Sequence, residues 1–531
     1  MKMIKSLLLG SAAGIVAMSG AQAADLPLKA KAVEYVRVCS LYGAGFWYIP
    51  GTDTCIKLSG YLRVDVIANS NSDNTGNTSG AGGAQNRLTN GMTWRSREDF
   101  DIDTRTATEY GVVRTFFDAT FSWTGDTYSQ NPNGTTLYGP IGTTAAPNNA
   151  GSGAVAGGTV GVYYAFIQFA GFTMGKAISQ FSTPWTAYPG NSQFDGLVGG
   201  GGTVTGVNQF SYTAEFGNGI SGTVSAQDPT AYYQAGVANL GGLGAIGALG
   251  ASGAFGASDY AGTVAPDIVG MLRVDQAWGL FQLSAVAHNN HAAYYGSTIA
   301  AISGTELAGH PDDKWGWAAQ VALSIKNIPT GPGDTINMQA VYTDGATRYN
   351  IQDLAGSAGA NTIYGGTNLA GAYQSVGFGV APDTVFANGG QQQLIQTWGF
   401  RGGYTHNWNP YWNTAIYGAF AEVMYNDTSQ VLICGINGVG GAARGALNPA
   451  GSGTNILSCN PNYSIGQIGL VTRWTPVKNL TFGVEATYSM LDQQMTGTVS
   501  APSPTAGKPA AIYELKDQNT WILAFRAQRN W

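Results

Sequence analysis

The chain has 531 residues, of which only 11% are charged, and its formal net charge is −6. Soluble globular proteins carry roughly 25% charged residues, so this composition disfavours an ordinary soluble domain, and the acidic balance argues against a nucleic-acid partner. Glycine (77 residues) and aromatic residues (11%) are abundant, but the mean hydropathy of −0.04 is far from that of a helical membrane protein, which favours strands that alternate lipid-facing and water-facing residues.

The first 23 residues have the pattern of a secretory signal peptide. Lys2 and Lys5 precede an apolar stretch at 7–18, and the small residues of Ala21–Ala23 follow it. We predict cleavage after Ala23. The apolar stretch is too short and too interrupted by glycine to cross a bilayer as a helix. Residues 236–258 also lack a clean apolar run, and we interpret them as a loop.

Residues 24–53 are predicted to form an N-terminal periplasmic segment, ahead of a barrel that occupies residues 54–531. The four cysteines fall into two local pairs, which suits an oxidising compartment. We therefore predict two disulfides, Cys39–Cys55 and Cys434–Cys459. Zinc motifs need a CxxC spacing that is absent here, so we predict no zinc site at these cysteines. Neither a metal nor a cofactor is expected.

From residue 55 onwards, segments of about ten or more residues alternate apolar and polar side chains, which is the length that a tilted membrane strand needs. In one of them, Trp315, Trp317 and Val321 alternate with polar residues such as Gln320 and Ser324. Sixteen segments have this character: 55–68, 92–104, 109–123, 158–170, 172–181, 204–216, 219–228, 266–277, 279–289, 314–327, 334–344, 394–407, 411–426, 463–475, 479–492 and 519–531. An even number is typical of a single-chain bacterial barrel.

The connections between these segments alternate between short and long. Residues 104–109 and 475–478 are tight, whereas 69–91, 345–393 and 427–462 are long and rich in Gly, Asn, Ser, Thr and Pro. Short periplasmic turns and long external loops are the asymmetry of an outer-membrane barrel, and a soluble sandwich has no reason to alternate so regularly. We therefore predict an all-β fold, a transmembrane antiparallel β-barrel of about sixteen strands.

The last segment, 519–531, places Trp521, Leu523, Phe525 and Trp531 on one face and polar residues such as Arg526 on the other. An edge strand of a soluble sandwich would also alternate in this way. We favour a closing barrel strand whose aromatic residues lie at the membrane interface and contact outer-membrane lipid. A strand that ends in Trp531 is also the expected contact with the barrel-assembly machinery.

A barrel of sixteen strands is too wide for side chains to fill, so we expect an aqueous channel. Five arginines lie several residues inside the predicted strands, on faces that point inward: Arg63, Arg97, Arg114, Arg401 and Arg526. One interpretation is a basic ladder at mid-height that lines the pore. The alternative is that they are separate, solvated lumen residues, because the register between distant strands cannot be deduced from the sequence.

The connection at 182–203 differs from the other long loops because it carries Pro, Trp, Tyr and Phe together with Asp195. Such side chains are unfavourable in water, so this loop is expected to pack against something. If it folds inward, it narrows the pore and places Asp195 opposite the arginines, where opposed charges select polar solutes over apolar ones. The alternative is an external loop that packs on its neighbours.

The stretch from Arg37 to Asp65, RVCSLYGAGFWYIPGTDTCIKLSGYLRVD, resembles the opening of the alphaproteobacterial porins of the Brucella–Rhizobium type. The later strands are similar to that family in layout and composition only. The resemblance implies an outer-membrane porin of a Gram-negative bacterium, usually a homotrimer, that passes small hydrophilic solutes and ions. In that family the third external loop folds into the lumen, and 182–203 matches its position. The long glycine-rich loops at 229–265 and 345–393 depart from the family pattern.

Motifs that would indicate an enzyme are weak. Residues 171–177 resemble a phosphate-binding loop, but the spacing is one residue short and Ala177 replaces the required hydroxyl. The GxSxG motif of hydrolases is absent from the sequence. We interpret His288, His291 and His310 as solvated loop side chains, with a surface metal site as the alternative. The predicted function is therefore a diffusion channel and not an enzyme; the alternatives are a substrate-selective channel, a barrel adhesin or hydrolase, and a soluble lectin-like protein.

Overall fold

The computed structural model describes most of the chain outside its amino-terminal segment and parts of its longest loops. The described residues are 37–70, 92–124, 159–186, 188–193, 197–202, 205–230, 233–240, 260–296, 305–351, 360–372, 374–436, 439–440, 455–501 and 511–531. The predicted signal peptide therefore lies outside the described residues, as do residues 24–36 of the predicted periplasmic segment.

Sixteen antiparallel strands form one continuous sheet that closes on itself. Each strand pairs with its neighbours in the chain, and the last strand pairs with the first. The strands are β1 Thr54–Asn69, β2 Met92–Thr108, β3 Gly111–Thr124, β4 Thr159–Phe169, β5 Phe172–Ala177, β6 Val207–Gly217, β7 Ile220–Gln227, β8 Asp267–Gln276, β9 Gly279–Asn290, β10 Lys314–Lys326, β11 Thr335–Asp344, β12 Gln396–Asn409, β13 Trp412–Met424, β14 Tyr463–Val477, β15 Leu480–Gln493 and β16 Gln518–Asn530. The predicted sixteen-stranded barrel is confirmed.

The seam between β1 and β16 closes the barrel. Its register runs from Tyr61 opposite Asn530 to Asn69 opposite Ile522, and the Trp531 amide donates to the Gly60 carbonyl at 3.1 Å. A closed sheet leaves no unpaired strand edge along this length, which is a requirement for backbone that lies in hydrocarbon. The terminal strand is therefore a closing strand, as its alternating pattern predicted.

The outer face of the barrel is apolar, and its side chains are exposed in the isolated chain. Alternate positions on successive strands carry large apolar groups, among them Leu62, Phe121, Val224, Leu272, Val321, Phe400, Leu470, Leu523 and Phe525. The residues between them point inward and are mostly polar on β1–β3 and β7–β11. This separation of the two faces is the pattern expected of strands with lipid on one side and the barrel interior on the other.

All seven short connections lie at one end of the barrel, which we call the turn end; the opposite end, with the long connections, is the loop end. Six of the short connections have two residues, and the seventh is the segment 327–334. At Asn218-Gly219 both residues have positive φ, +50° and +70°. This is the conformation of a type I′ hairpin turn, which matches the twist of the flanking strands.

At the loop end, three long loops pair with one another in a second sheet. Its strands are Ala360–Gly365, Gln374–Val380, Ala511–Leu515, Thr496–Ala501 and Asn455–Ser458. A three-stranded sheet joins Val237–Asn239, Thr384–Phe386 and Gln393–Leu394, and Gly435–Ile436 pairs with Val439–Gly440. The helix Asp427–Cys434 starts where the Asn426 side chain accepts a hydrogen bond from the Ser429 amide at 2.8 Å, and it ends at the confirmed disulfide Cys434–Cys459.

The inner face of β13 differs from the polar lumen wall expected from the sequence. Its inward positions carry five buried residues, four of them apolar and one a tyrosine: Ala415, Tyr417, Ala419, Ala421 and Val423. They pack with loop residues such as Leu197, Val198 and Val385 in one hydrophobic cluster. The physical reason is that loops cover this wall, so its side chains face protein and not water.

The N-terminal segment crosses the turn end beside β1. Residues Trp47–Tyr48 pair with Cys55 and Ile56, on the stretch of β1 that β16 does not reach. The predicted disulfide Cys39–Cys55 is formed, and both cysteines are buried with Phe46. Short 3₁₀ turns occur at Ser40–Tyr42, Glu306–Ala308 and Thr347–Tyr349. The described part of the chain holds no helix with the length and hydrophobicity that a bilayer crossing requires.

The replacement Leu523→Arg tests the assignment of the outer face to lipid. Leu523 is 55% exposed at the middle of β16, so the variant would place a charge in hydrocarbon. We expect the free energy of unfolding in lipid vesicles, measured by denaturant titration, to fall by about 2–4 kcal/mol. The control Leu523→Phe keeps the position apolar and should change stability little. Equal stability of the arginine variant and the wild type would contradict a lipid-facing position.

Candidate functional site

Three of the five predicted pore arginines lie together on the inner wall near the seam. Arg63 on β1 is directly opposite Arg97 on β2, and Arg526 lies on the neighbouring β16. The carboxylate of Asp65, which is 2% exposed, accepts a hydrogen bond from Arg526 Nε at 2.6 Å and lies 3.6 Å from Arg63 Nε. One buried carboxylate therefore lies between two of the three arginines, and the group keeps a surplus of positive charge.

The other two predicted arginines lie elsewhere. Arg114 is directly opposite Arg105, eight residues along β2 from Arg97, which corresponds to roughly 27 Å at the rise of a strand. It lies near the turn end and pairs with Asp103 at 3.0 Å. Arg401 on β12 is 1% exposed and is covered by a loop. The structure thus brings together Arg63, Arg97 and Arg526, and separates Arg114 and Arg401 from them.

We call the connection between β5 and β6, residues 178–206, the inner loop. Arg401 donates to the carbonyl oxygens of Leu197 at 2.9 Å, Thr186 and Gly201 in this loop. Arg526 donates to the Gln193 carbonyl at 2.9 Å. Two of the predicted arginines therefore contact the described parts of the inner loop through its backbone carbonyls, and this contact was not anticipated from the sequence.

Inward-facing amides on other strands hold the same loop, and sequence reasoning missed them. Gln320 and Gln282 donate to the Phe181 and Ser182 carbonyls at 2.9 and 3.0 Å. Three more acceptors bind loop donors: Gln339 the Trp185 indole at 2.8 Å, Gln467 the Val198 amide at 3.0 Å and Glu485 the Gln193 amide at 2.7 Å. The sequence pattern that could have predicted these anchors is one long polar residue among small inward-facing residues on several strands. This pattern is weak evidence when the path of the loop is unknown.

The glycine run at 199–202 brings the backbone of the inner loop against β12. Gly199 has φ +88°, and a Cβ atom there would lie 2.2 Å from the Phe400 carbonyl oxygen. A Cβ at Gly202 would lie 2.7 Å from the Arg401 guanidinium. The amide of Gly199 donates to the Asn350 side chain at 3.1 Å. Residues without a Cβ are therefore required where the loop lies on the wall.

The opposite side of the lumen is less covered. Several inward side chains of β1–β4 are half-buried, whereas those of β9–β15 are mostly buried under loops. The half-buried ones include Lys57, Tyr61, Arg63, Arg97, Asp101 and Tyr163, and the carboxylates of Asp65, Asp99, Asp103 and Asp118 between them are buried. Beside the arginines, Asp99, Asp101 and Asp118 have carboxylate oxygens within 4.8 Å of one another. Within the described residues, the polar surface that faces the lumen is thus a wall of mixed charge on β1–β4.

Asp195 lies outside the described residues. The residues near it in the chain, Gln193 and Leu197, contact Arg526 and Arg401 respectively through their carbonyls. The predicted opposition of Asp195 and the arginines therefore stays a prediction.

Of the three histidines predicted to be solvated loop residues, His288 lies on β9 and does not have the solvated position expected from the sequence. It is fully buried, and its Nδ1 lies 2.7 Å from Asp267 while its Nε2 lies 2.9 Å from the Tyr260 hydroxyl. Burial raises the pKa of Tyr260, and the neighbouring Asp383 raises it further, so its hydroxyl stays protonated and donates to Asp383 at 2.8 Å. His288 is buried because it joins a network that connects loops at the barrel mouth.

The chain is similar to known proteins in sequence. The family model described as the porin subfamily matches residues 25–524. The porin Omp2b of Brucella suis biovar 1 (strain 1330) is 35% identical over 285 residues, which are 52% of this chain and 63% of that porin. The porin Omp2a of Brucella ovis is 37% identical over 230 residues, 42% of this chain and 59% of that porin. The aligned part of the chain thus spans less than two thirds of the length of these relatives.

Among solved structures, the outer membrane channel DcaP of Acinetobacter baumannii superposes with a TM-score of 0.51 at 14% identity, covering 91% of this chain and 99% of that one. At this identity the likeness concerns the fold alone. Because the family model covers nearly the whole chain, the chain belongs to the porin subfamily, and its barrel is an outer-membrane barrel with short periplasmic turns and long external loops.

Proposed function

We propose that the protein is a water-filled channel for passive diffusion of small hydrophilic solutes and ions across the outer membrane. The observation that carries this proposal is a closed barrel of sixteen strands whose inner wall on β1–β4 presents half-buried charged and tyrosine side chains. Membership of the porin subfamily supports the same function. Water and ions can use such a surface because its polar groups replace part of their hydration.

The narrowest part of the channel is proposed to lie between residues 182–203 of the inner loop and the arginine group Arg63, Arg97 and Arg526. Hydrogen bonds from Gln282, Gln320, Arg401 and Arg526 to carbonyls at 181–201 support an inward course for this loop. Asp195 completes the constriction in this proposal as the acidic partner of the arginines. Arg114 would contact solutes near the periplasmic mouth instead.

We also propose how the chain reaches and occupies the membrane. Residues 1–23 are removed as a signal peptide, and the strand that ends in Trp531 is delivered to the barrel-assembly machinery. The apolar outer face contacts outer-membrane lipid, and three chains form a homotrimer. The family resemblance supports the trimer, and the exposed apolar groups on the outer face support the lipid contact. A channel of this kind is not an enzyme.

Reconstitution in planar bilayers tests the function directly. The purified protein should produce stepwise increases in conductance, and solute flux that rises linearly with concentration. Saturable flux would favour the substrate-selective channel, and an inserted protein without conductance would contradict both channel hypotheses.

The arginine group should control ion preference. We expect Arg63→Gln and Arg97→Gln each to shift the reversal potential in a salt gradient toward cations, because each variant removes a positive charge from the lumen wall. Arg529→Gln is the matched control, since Arg529 lies at an exposed position on the outer face of β16. An equal shift in the control, or none in the two lumen variants, would contradict a role for the arginine group.

Arg401→Gln tests the anchoring of the inner loop. The variant loses charge-assisted hydrogen bonds to loop carbonyls, which contribute about 1.5–3 kcal/mol each, so the loop should leave the wall more often. We expect larger current fluctuations and a changed mean conductance in single-channel recordings. Gln467→Ala removes a separate anchor, the bond to the Val198 amide, and should act in the same direction. Heat-modifiable gel migration checks that the barrel remains folded. Unchanged recordings for both folded variants would show that the loop does not limit the current.

A further inference from the structure

A cavity of about 560 Å³ lies at the turn end, between the N-terminal segment and the inner wall of β2–β6. Its polar lining comes from Arg105, Arg114, Gln168, Thr173, Thr213 and Glu215, and Tyr42 of the N-terminal segment covers one side. The cavity is distinct from the arginine group near the seam, none of whose members lines it. Its volume lies in the range of pockets that hold small molecules.

Two guanidinium groups at this cavity share one carboxylate. Arg105 and Arg114 are directly opposite each other in the register of β2 and β3. Both pair with Asp103, at 2.9 and 3.0 Å. On β2 and β3, two positive charges against one negative charge leave a surplus of one, and Glu215 lies across the cavity on β6. Like charges directly opposite on neighbouring strands are unfavourable. Asp103 offsets only one of the two charges, so a second anion near both guanidinium groups would stabilise the arrangement further.

Aromatic rings fix the orientation of both guanidinium groups. The Cζ atom of Arg105 lies 4.9 Å from the ring centre of Phe46 and 5.6 Å from that of Tyr42. The Cζ atom of Arg114 lies 5.0 and 5.5 Å from the rings of Phe116 and Phe166. A guanidinium whose face is covered still donates through its edges. The Nε–Nη2 edges of both groups donate to Asp103, so a second carboxylate would bind at their Nη1–Nη2 edges.

The remaining walls restrict the ligand further. Gln168 accepts a hydrogen bond from Arg114 at 3.0 Å and donates to Thr173 at 3.2 Å, so its orientation is determined. Val112 and Tyr42 contribute apolar surface, which favours a ligand with an apolar body. Glu215 lines the same cavity and repels a second negative charge. A monoanion therefore fits better than a dianion.

We infer that this cavity is a binding site for small monocarboxylates, with the carboxylate on Arg105 and Arg114 and the apolar body beside Tyr42. The role of this site rests on the proposed function: in a conducting channel, the site would hold a permeating solute at the periplasmic mouth before release. The disulfide Cys39–Cys55 and the buried Phe46 hold the cover of the site in place. Binding itself does not depend on conduction, so the two can be measured separately.

Benzoate is a suitable probe, because benzamide has the same shape without the charge. The full-length protein in detergent is titrated with each compound by ligand-observed NMR, and each is added to the turn-end side of a conducting bilayer. We expect saturable benzoate binding and benzoate-dependent current noise, with benzamide at least tenfold weaker. Equal binding of the two compounds, or no saturable benzoate binding, would overturn the inference.

Three variants identify the site. Arg114→Gln should weaken benzoate binding at least tenfold, because it removes one of the two guanidinium groups that donate to the carboxylate. Asp103→Asn should increase benzoate affinity several-fold, because it removes the carboxylate that competes with the ligand for the two arginines. Arg95→Gln is the control: it removes the same charge from β2, ten residues from Arg105 and outside the cavity lining, and should leave benzoate affinity unchanged. If Arg114→Gln does not fold, Asp103→Asn still tests the inference, because a benzoate affinity of Asp103→Asn equal to that of the wild type would contradict the site.

The outcomes separate this site from the channel function. Normal conductance without saturable benzoate binding would contradict the site alone. Saturable benzoate binding by a protein that inserts without conductance would contradict the channel alone. Loss of benzoate binding in Arg95→Gln to the same extent as in Arg114→Gln would show a general effect of lumen charge and would overturn the site.

Discussion

The pairing of β1 with β16 is the contact on which the rest of the structure depends. In hydrocarbon an unpaired backbone amide or carbonyl costs several kcal/mol, so a sheet that crosses the membrane must close. Here the closure joins residues more than 450 positions apart, from Tyr61–Asn530 to Asn69–Ile522. Once closed, the sheet has an inside and an outside. Most alternating strands place polar side chains in the interior, and on β13 loops cover an apolar inner face.

The interior is divided between two kinds of wall. On β9–β15, glutamine amides, the Glu485 carboxylate and Arg401 satisfy the backbone of the inner loop, and these polar groups are buried because the loop replaces their water. On β1–β4, the lysine and arginine side chains remain half-buried, and several pair with buried carboxylates of the same wall, as Arg105 and Arg114 do with Asp103. The same residue types therefore serve as loop anchors on one side and as half-buried groups of the lumen wall on the other.

At two places on the inner wall, one carboxylate lies between two arginines. Asp65 lies between Arg63 and Arg526 near the seam, and Asp103 lies between Arg105 and Arg114 near the turn end. In each group one carboxylate limits the repulsion between cations and leaves positive charge toward the lumen. A solute that moves along this wall would meet two separate basic groups, with the acidic residues Asp99, Asp101 and Asp118 between them along β2 and β3.

The amino-acid sequence determined the class of fold, the sixteen strands, the short and long ends, both disulfides and the outer face, because these follow from periodicity and from local spacing along the chain. The sequence alone did not determine which inward residues meet. Arg114 and Arg97 look equivalent in sequence, yet one lies near the turn end and the other near the seam. The roles of Arg401, the inward glutamines and the apolar face of β13 depend on the path of loops between distant strands, and only the tertiary structure decides that path, because those contacts join segments far apart in the chain.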